Sequence, residues 1–297
     1  MFNEFRETLL VLISTPVYAI VIGAEIIFSN LRKQDTYSKK GTVENIYLML
    51  LNMGLDILMR GVCLLVLGYF FRFHFVQIQN KWAYWIILLV TQDFMFYVLH
   101  YVDHYVRFFW AVHVTHHSSE EFNLTVGFRS SVFQPLYRFV YFIPLALIGF
   151  DGKDIMFMYA ATQIYGIIIH TKYINKLGFL ERFMSTPSHH RVHHASNVLY
   201  LDKNMGMVFI IWDKFFGTFV AEDEKEKIRF GLTENIYSRH PAHVIFHEWK
   251  NIFTDLRKTN SFKHKFMYVF GPPGWSHDGS KKTSKQLREE FLKNQRK

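Results

Sequence analysis

Three long apolar blocks limit what this chain can fold into. The first runs from Leu9 to Phe28, interrupted by Pro16, Gly23 and Glu25; the second runs from Ile46 to Phe71 and the third from Ala83 to Tyr101. Each can cross about 30 Å of hydrocarbon as a helix, which takes roughly 20 residues. Apolar character returns from Val132 to Phe150 and from Ile155 to about Ile169, close enough together to read as a helical hairpin. The expectation is an all-α fold of about four to five transmembrane helices, with a cytosolic helical cap outside the bilayer. Residues 1–82 then carry N-terminal membrane helices, 83–280 the remaining spans and the cap, and 281–297 a separable basic tail.

The first block lacks a short apolar core followed by a small-residue cleavage site, and Glu25 lies near its end, so it reads as a retained span. Arg32, Lys33, Lys39 and Lys40 sit between the first two blocks, against only Arg72 and Lys81 between the next two. Positive residues favour the cytosolic side, which puts the first loop, the region from His104 to Arg129 and everything after Tyr173 on that face. The membrane is then a bacterial inner membrane or the endoplasmic reticulum. The net charge of +9 fits a surface against anionic lipid. No basic helix or aromatic-basic motif accompanies it, so nucleic acid is not an expected partner.

The only cysteine, Cys63, lies inside an apolar block, so any metal must be held by nitrogen and oxygen. Histidine, by contrast, is abundant: there are 16, most of them clustered. His100 and His104 form HxxxH, His113, His116 and His117 form HxxHH, and His189, His190, His193 and His194 form HHxxHH; His170 stands alone. Positions i, i+3 and i+4 of a helix point the same way, so each box offers two or three imidazoles from one face. His104 and His113 are nine residues apart, about 180° around a straight helix. The first two boxes converge only if the chain bends near Val106 to Ala111. Ser118 with Glu121 fits a capping box that would start a new helix, and Thr186 with Pro187 fits an N-cap and first helical position.

A lone histidine is ordinarily a satisfied polar residue, which is the reading for His74, His240, His243, His264 and His277. Eight or more clustered imidazoles would repel one another if charged and be hard to satisfy if buried neutral, unless a cation organises them. That number is too many for one ion and suits two. Without thiolates and with few carboxylates, the set favours iron used for O2 chemistry over magnesium or calcium, although zinc could occupy the same cage. Asp93 precedes His100 by seven residues, two helical turns, and so is placed to orient a ligand imidazole through its free N–H. Glu120 and Glu121 are placed to do the same for the second box, although capping alone accounts for Glu121. Asn123, Arg129 and Ser130 read as interfacial structure, and IIWDKFFGTF as an amphipathic helix on which a lipid could slide in. His247 carries no expectation of metal contact.

The boxes HYVDH, HVTHH and HRVHH resemble those of the fatty acid hydroxylase and sterol desaturase superfamily of membrane di-iron enzymes. The stretches HHSSEEFNLTVGFRSSVFQPLYRF, IHTKYINKLGFLERFMSTPSHHRVHH, DKNMGMVFIIWDKFFGTF and GPPGW narrow this to its glyceryl-ether-cleaving branch, the alkylglycerol monooxygenases, over roughly Gln92 to Trp275. The resemblance implies that His100, His104, His113, His116, His117, His190, His193 and His194 hold two iron ions, with His170 a further ligand. It also implies that the third box starts at His190, which leaves His189 to support a ligand from behind. It further implies O2 as co-substrate, tetrahydrobiopterin as reductant and hydroxylation of the ether-linked carbon of an alkylglycerol. Tyr105 departs from that branch, which carries glutamate directly after the first box, and the chain ends in a basic tail where the animal enzymes continue with further spans.

Sterol, fatty-acid or carotenoid hydroxylation or desaturation, fed by a ferredoxin or cytochrome with its reductase, is the alternative within the superfamily. Outside it, a haem cytochrome would pair histidines on facing spans, and a metal transporter would place ligands at the bilayer midplane, where only Gln92 and Asp93 lie.

Overall fold

In the computed structural model, which describes residues 2–236 and 240–295, the membrane segments form three long helices: α1 (Phe2–Leu31), α2 (Lys39–Phe71) and α3 (Lys81–Tyr105). All three are long and apolar enough to cross a membrane. Ser38 caps α2 by accepting from the Gly41 N–H, and Asn80 caps α3 by accepting from the Ala83 N–H. Large apolar side chains on the first two helices stand exposed, among them Ile20 at 71%, Leu58 at 76% and Leu65 at 75%. Such surface is stable only against lipid or another protein.

The remaining helices are shorter: α4 (Arg107–His117), α5 (Ile143–Ile148), α6 (Gly152–Ile168), α7 (Pro187–His193), α8 (Ile211–Phe216), α9 (Pro241–Leu256), α10 (Phe262–Phe270) and α11 (Ser284–Gln295). Among the described residues there are no strands, only isolated bridges between Met184 and Phe209 and between Ala195 and Phe230. The architecture is all-α, as expected.

The expected fourth span is not a single helix. Val132 to Phe150 breaks into 3-10 turns at Gln134–Leu136 and Arg138–Phe142 followed by the six-residue α5. Proline begins two of these pieces, at Pro135 and Pro144, and a proline inside a continuous helix would remove a hydrogen bond. Arg138 is buried, ion-paired with Asp56 of α2 and 4.4 Å above the Tyr159 ring, so the polar side of this stretch faces protein while Leu136 and Val140 stand exposed. The expected fifth span, α6, has 17 residues and buries much of its surface; among the described residues three helices have the length and hydropathy to span. Leu67, Leu88, Phe96, Leu99, Phe142, Leu145, Phe150 and Ile155 form the core that α2, α3, α5 and α6 share.

Polar residues on the outer helices grip the inner layer. Along α2, Asn45 donates to Thr125 Oγ1 at 3.1 Å, Asn52 to the Ser131 carbonyl at 2.8 Å, and Asp56 holds Arg138. On α1 the buried Glu25 accepts from Tyr37, from Thr171 and from the Leu124 N–H. These positions aim the histidine-bearing segments beneath the spans.

The bend between the first two boxes is a single extended residue. Val106 (φ −117°, ψ 116°) ends α3 and starts α4, and Arg107 N–H donates to the Gly271 carbonyl at 3.0 Å. Thr186 caps α7 by accepting from the His189 N–H, with Pro187 first in the helix, as the sequence suggested. No helix starts at Ser118. Its hydroxyl instead donates back to the Thr115 carbonyl at 2.8 Å as α4 ends, and Glu121 accepts from the Ser38 N–H. Residues 281–295, expected as a separable tail, hold α11, which docks on the protein through Ser284 and Arg288.

Candidate metal centre

Four elements deliver nine histidines to one place. The C-terminal end of α3 brings His100 and His104, α4 brings His113, His116 and His117, the residues that follow α6 bring His170, and α7 with its C-cap brings His190, His193 and His194. They sort into two clusters: His100, His104, His113, His117 and His193 in the first, and His116, His170, His190 and His194 in the second. Within each cluster one ring nitrogen from each histidine lies within 4.8 Å of all the others. Helix spacing decides the sorting. On α4 the i and i+4 residues His113 and His117 go to the first cluster and the i+3 residue His116 to the second, while on α7 His190 and His194 go to the second and His193 to the first.

The outer nitrogen of most rings is fixed by an acceptor. His100 Nδ1–H donates to the Met205 carbonyl at 2.7 Å, His116 to Arg129 at 2.7 Å, His170 to Gly166 at 2.7 Å and His193 to Lys203 at 2.9 Å. His104 Nδ1 lies 3.2 Å from an Asp202 carboxylate oxygen, and His113 Nδ1 lies 3.0 Å from Ser131 Oγ. With Nδ1 protonated, each Nε2 presents a bare lone pair. Yet Nε2 of His100 is 3.0 Å from that of His113, and Nε2 of His170 is 2.9 Å from that of His190 and 3.1 Å from that of His194. Nε2 of His104 and of His193 are buried with no hydrogen-bond partner. Converging lone pairs of this kind are what a cation between them resolves.

The protonation state agrees. Eight of the nine rings are at most 5% exposed, and burial, reinforced by neighbouring imidazoles, holds His113, His117, His190, His193 and His194 well below the usual range. Burial lowers His170 likewise and brings His116 to about 4. These rings are therefore neutral at neutral pH, the form that ligates metal. Two all-nitrogen sets of five and four donors fit a pair of first-row divalent ions rather than magnesium or calcium, which prefer oxygen.

Of the residues expected to support the ligands, none touches an imidazole of either cluster. Asp93 accepts instead from the Val208 and Phe209 N–H groups at 2.8 and 3.1 Å and from Trp212 Nε1 at 2.9 Å, anchoring the loop whose Met205 carbonyl takes His100. Two helical turns do bring Asp93 to that side of α3, but the loop fills the space between. His189 points its Nδ1 at the Met184 carbonyl and its Nε2 at Glu181, 3.6 Å away. Glu121 is spent on the start of α2. Arg129 is buried and donates to the Thr115 carbonyl, Asn45, Glu44 and Ser118, a structural role. His74 meets the Phe71 carbonyl, His247 the Val244 carbonyl, and His277 accepts from Tyr268, all outside both clusters.

The supporting groups that sequence reasoning missed are Asp103, Ser131 and Asp202. Asp103 is fully buried, accepts from Gln134 at 2.8 Å and Tyr137 at 2.7 Å, and lies 3.8 Å from His113 Nδ1. Its place inside HYVDH, three residues after His100, was the available signal. Ser131 and Asp202 had none, because each meets its histidine only through the fold.

A family model described as fatty acid hydroxylase matches residues 85–218, the segment that holds all nine histidines. Alkylglycerol monooxygenase of Homo sapiens is 42% identical over 198 residues, covering 66% of this chain and 43% of the human protein. Alkylglycerol monooxygenase of Danio rerio is 31% identical over 274 residues, covering 89% of this chain and 59% of that protein. Ornithine lipid hydroxylase of Rhizobium tropici is 28% identical over 165 residues, covering 55% of this chain and 50% of that protein. The chain thus spans between 43% and 59% of the length of these curated relatives. No solved structure matches it. Residues 85–218, built around two converging histidine clusters and shared with relatives this similar, form a fatty acid hydroxylase domain.

Proposed function

We propose that this chain is a membrane di-iron monooxygenase that uses O2 to hydroxylate a lipid C–H bond, with alkylglycerols as its substrate class. Hydroxylation of the ether-linked carbon gives a hemiacetal that collapses to an aldehyde and glycerol. The observation that carries this reading is the pair of buried histidine clusters inside a fatty acid hydroxylase domain. His100, His104, His113, His117 and His193 would hold one iron, and His116, His170, His190 and His194 the other. Bound iron supplies the activation of O2, with electrons from an external donor, tetrahydrobiopterin in the leading reading.

The rest is the work of the chain. Carbonyls of Met205, Arg129, Gly166 and Lys203 hold four imidazoles in the tautomer that leaves Nε2 free. Burial of the rings keeps water from the reacting atoms. Ile211, Phe215 and Phe216 of α8 are exposed a short way beyond the third box and offer an apolar approach for a lipid leaving the bilayer. Arg32, Lys33, Lys39 and Lys40 orient the clusters toward the cytosol.

Anaerobic reconstitution with ferrous iron should give two irons per chain, and addition of O2, tetrahydrobiopterin and an alkylglycerol should release aldehyde. Protein that loads iron but consumes O2 with no lipid tested would sink the proposal. A second reading, hydroxylation of another lipid with a ferredoxin or cytochrome as donor, is favoured by Tyr105 where the glyceryl-ether branch is expected to carry glutamate, and by the ornithine lipid hydroxylase relative. The same assay run with sterol and fatty-acid substrates and a reductase system decides between them.

A further inference from the structure

The five residues from Leu201 to Met205 touch three of the five histidines in the first cluster and none of the second. His104 meets the Asp202 carboxylate at 3.2 Å, His193 donates to the Lys203 carbonyl at 2.9 Å, and His100 donates to the Met205 carbonyl at 2.7 Å. The segment is not at rest in an ordinary extended conformation. Asp202 and Asn204 both sit at positive φ, +53° and +56°, a region that side-chain-bearing residues visit at some cost and that Asp and Asn tolerate best. Something must hold it there.

The inner side is held by Asp213, which accepts from the Met205 and Gly206 N–H groups at 2.7 and 2.8 Å. The outer side is held by α11. Ser284, first in that helix, donates to the second carboxylate oxygen of Asp202, and Arg288, one turn on, donates to the Leu201 carbonyl. Tyr105, directly after His104, donates to the Asp202 carbonyl at 3.4 Å. The root of α11 is tied down as well, since Lys281 donates to Asp255 of α9 at 2.6 Å. By contrast, the outer nitrogens of His116 and His170 in the second cluster meet the carbonyls of Arg129 and Gly166, neither of which belongs to residues 201–205.

We infer that Asp202 is a positioning residue for the first metal site alone, and that α11 is a strap that sets it through Ser284 and Arg288. The inference rests on the di-iron reading above. Asp202 orients the His104 ring with one oxygen while the other is engaged by the strap, so a change at the C-terminal helix is felt at one ion and not at its neighbour. Removing a partner of this kind weakens metal binding by about 10- to 100-fold.

The test uses the full chain loaded with 57Fe, comparing wild type with Ser284→Ala/Arg288→Ala, Asp202→Asn and Asp202→Gly. Glycine at 202 keeps the positive φ without strain, so loss of the carboxylate is separated from loss of the backbone turn. The expected result is iron content falling from two toward one per chain in Asp202→Gly. One Mössbauer doublet should be lost or shifted while the other stays, and the Ser284/Arg288 double variant, whose changes lie on the outer helix, should show the same doublet shifted to a lesser degree. The unchanged doublet doubles as the control for folding, and Asp202→Asn, which keeps an acceptor oxygen, should recover most of the iron. Full iron with both doublets unchanged in every variant, or both doublets altered together, overturns the strap. Wild-type chain that takes up no iron overturns the metal reading itself.

Discussion

The two histidine clusters are built from the same kinds of helix and are held in different ways. The first draws five donors from α3, α4 and α7 and depends on a distant loop, on Ser131 and on α11 for the orientation of its rings. The second draws four from α4, the residues that follow α6, and α7 with its C-cap, and His170 is fixed by the Gly166 carbonyl in the last turn of α6. One site leans on several distant segments and offers five donors; the other leans on fewer, the Arg129 and Gly166 carbonyls, and offers four. The site with five donors should tolerate the loss of a ligand better than the site with four.

The largest expected effect tests that difference directly. His170→Ala leaves three donors and should empty the second site, lowering turnover by more than about 100-fold, beyond what loss of an outer partner does. His104→Ala leaves four and should keep measurable iron at the first site. Equal iron loss in the two variants, measured by metal analysis of purified protein, would break the comparison. Next comes Asp103→Ala, which strips His113 of a nearby carboxylate and leaves the half-buried Gln134 and Tyr137 donors without that acceptor. Activity should fall about 10- to 100-fold with the first site's spectrum shifted and the second's intact.

Smaller effects should come from the scaffold beneath the strap. Arg107 is buried between Glu248, at 2.7 Å, and Asp255, at 2.8 Å, and joins the start of α4 to α9. Arg107→Ala should lower stability by about 1.5–3 kcal/mol in thermal unfolding, the usual range for hydrogen bonds to a charged group. Iron content should be the same as in wild type if α9 serves only as support. The smallest is a pH effect. Burial pushes Asp255 up, but hydrogen bonds from Lys258, Lys281 and Arg107 outweigh it and hold the carboxyl at about 2. Its folded pKa is below the unfolded value of about 3.9, so its stabilising contribution is complete above roughly pH 4 and is lost as pH falls toward 2. Asp255→Asn should remove that acid-side contribution, visible as a flatter stability curve over this window in circular dichroism.

Much of the site could be read before the fold was known, for a specific reason. Boxes with i, i+3 and i+4 spacing carry their own geometry, and the need for a bend at Val106 followed from nine residues of helix between His104 and His113. The supports could not be read in the same way. Four of them are backbone carbonyls, which leave no residue signature, and Asp202 lies 98 positions from His104. The last two apolar blocks were harder to read for a different cause. Hydropathy scores an apolar residue alike whether it meets lipid or core, and one arginine, Arg138, matched by Asp56 on another helix, does not lower the average enough to betray burial. Ser118 misled because a capping signature marks a place where a helix can begin, whereas here Arg129 and the end of α4 take up the same hydroxyl.

The interleaving of ligands on α4 and α7 has a mechanical side. Each helix serves both clusters, with residues three and four apart divided between them, so the distance between the two centres is marked off by helical pitch, as on a ruler with fixed graduations. Two such rulers face each other, and His117 stacks on His194 at 4.5 Å where their scales meet. The gap between the centres is therefore a property of the polypeptide, set before anything enters it, and it can widen only if both helices bend together.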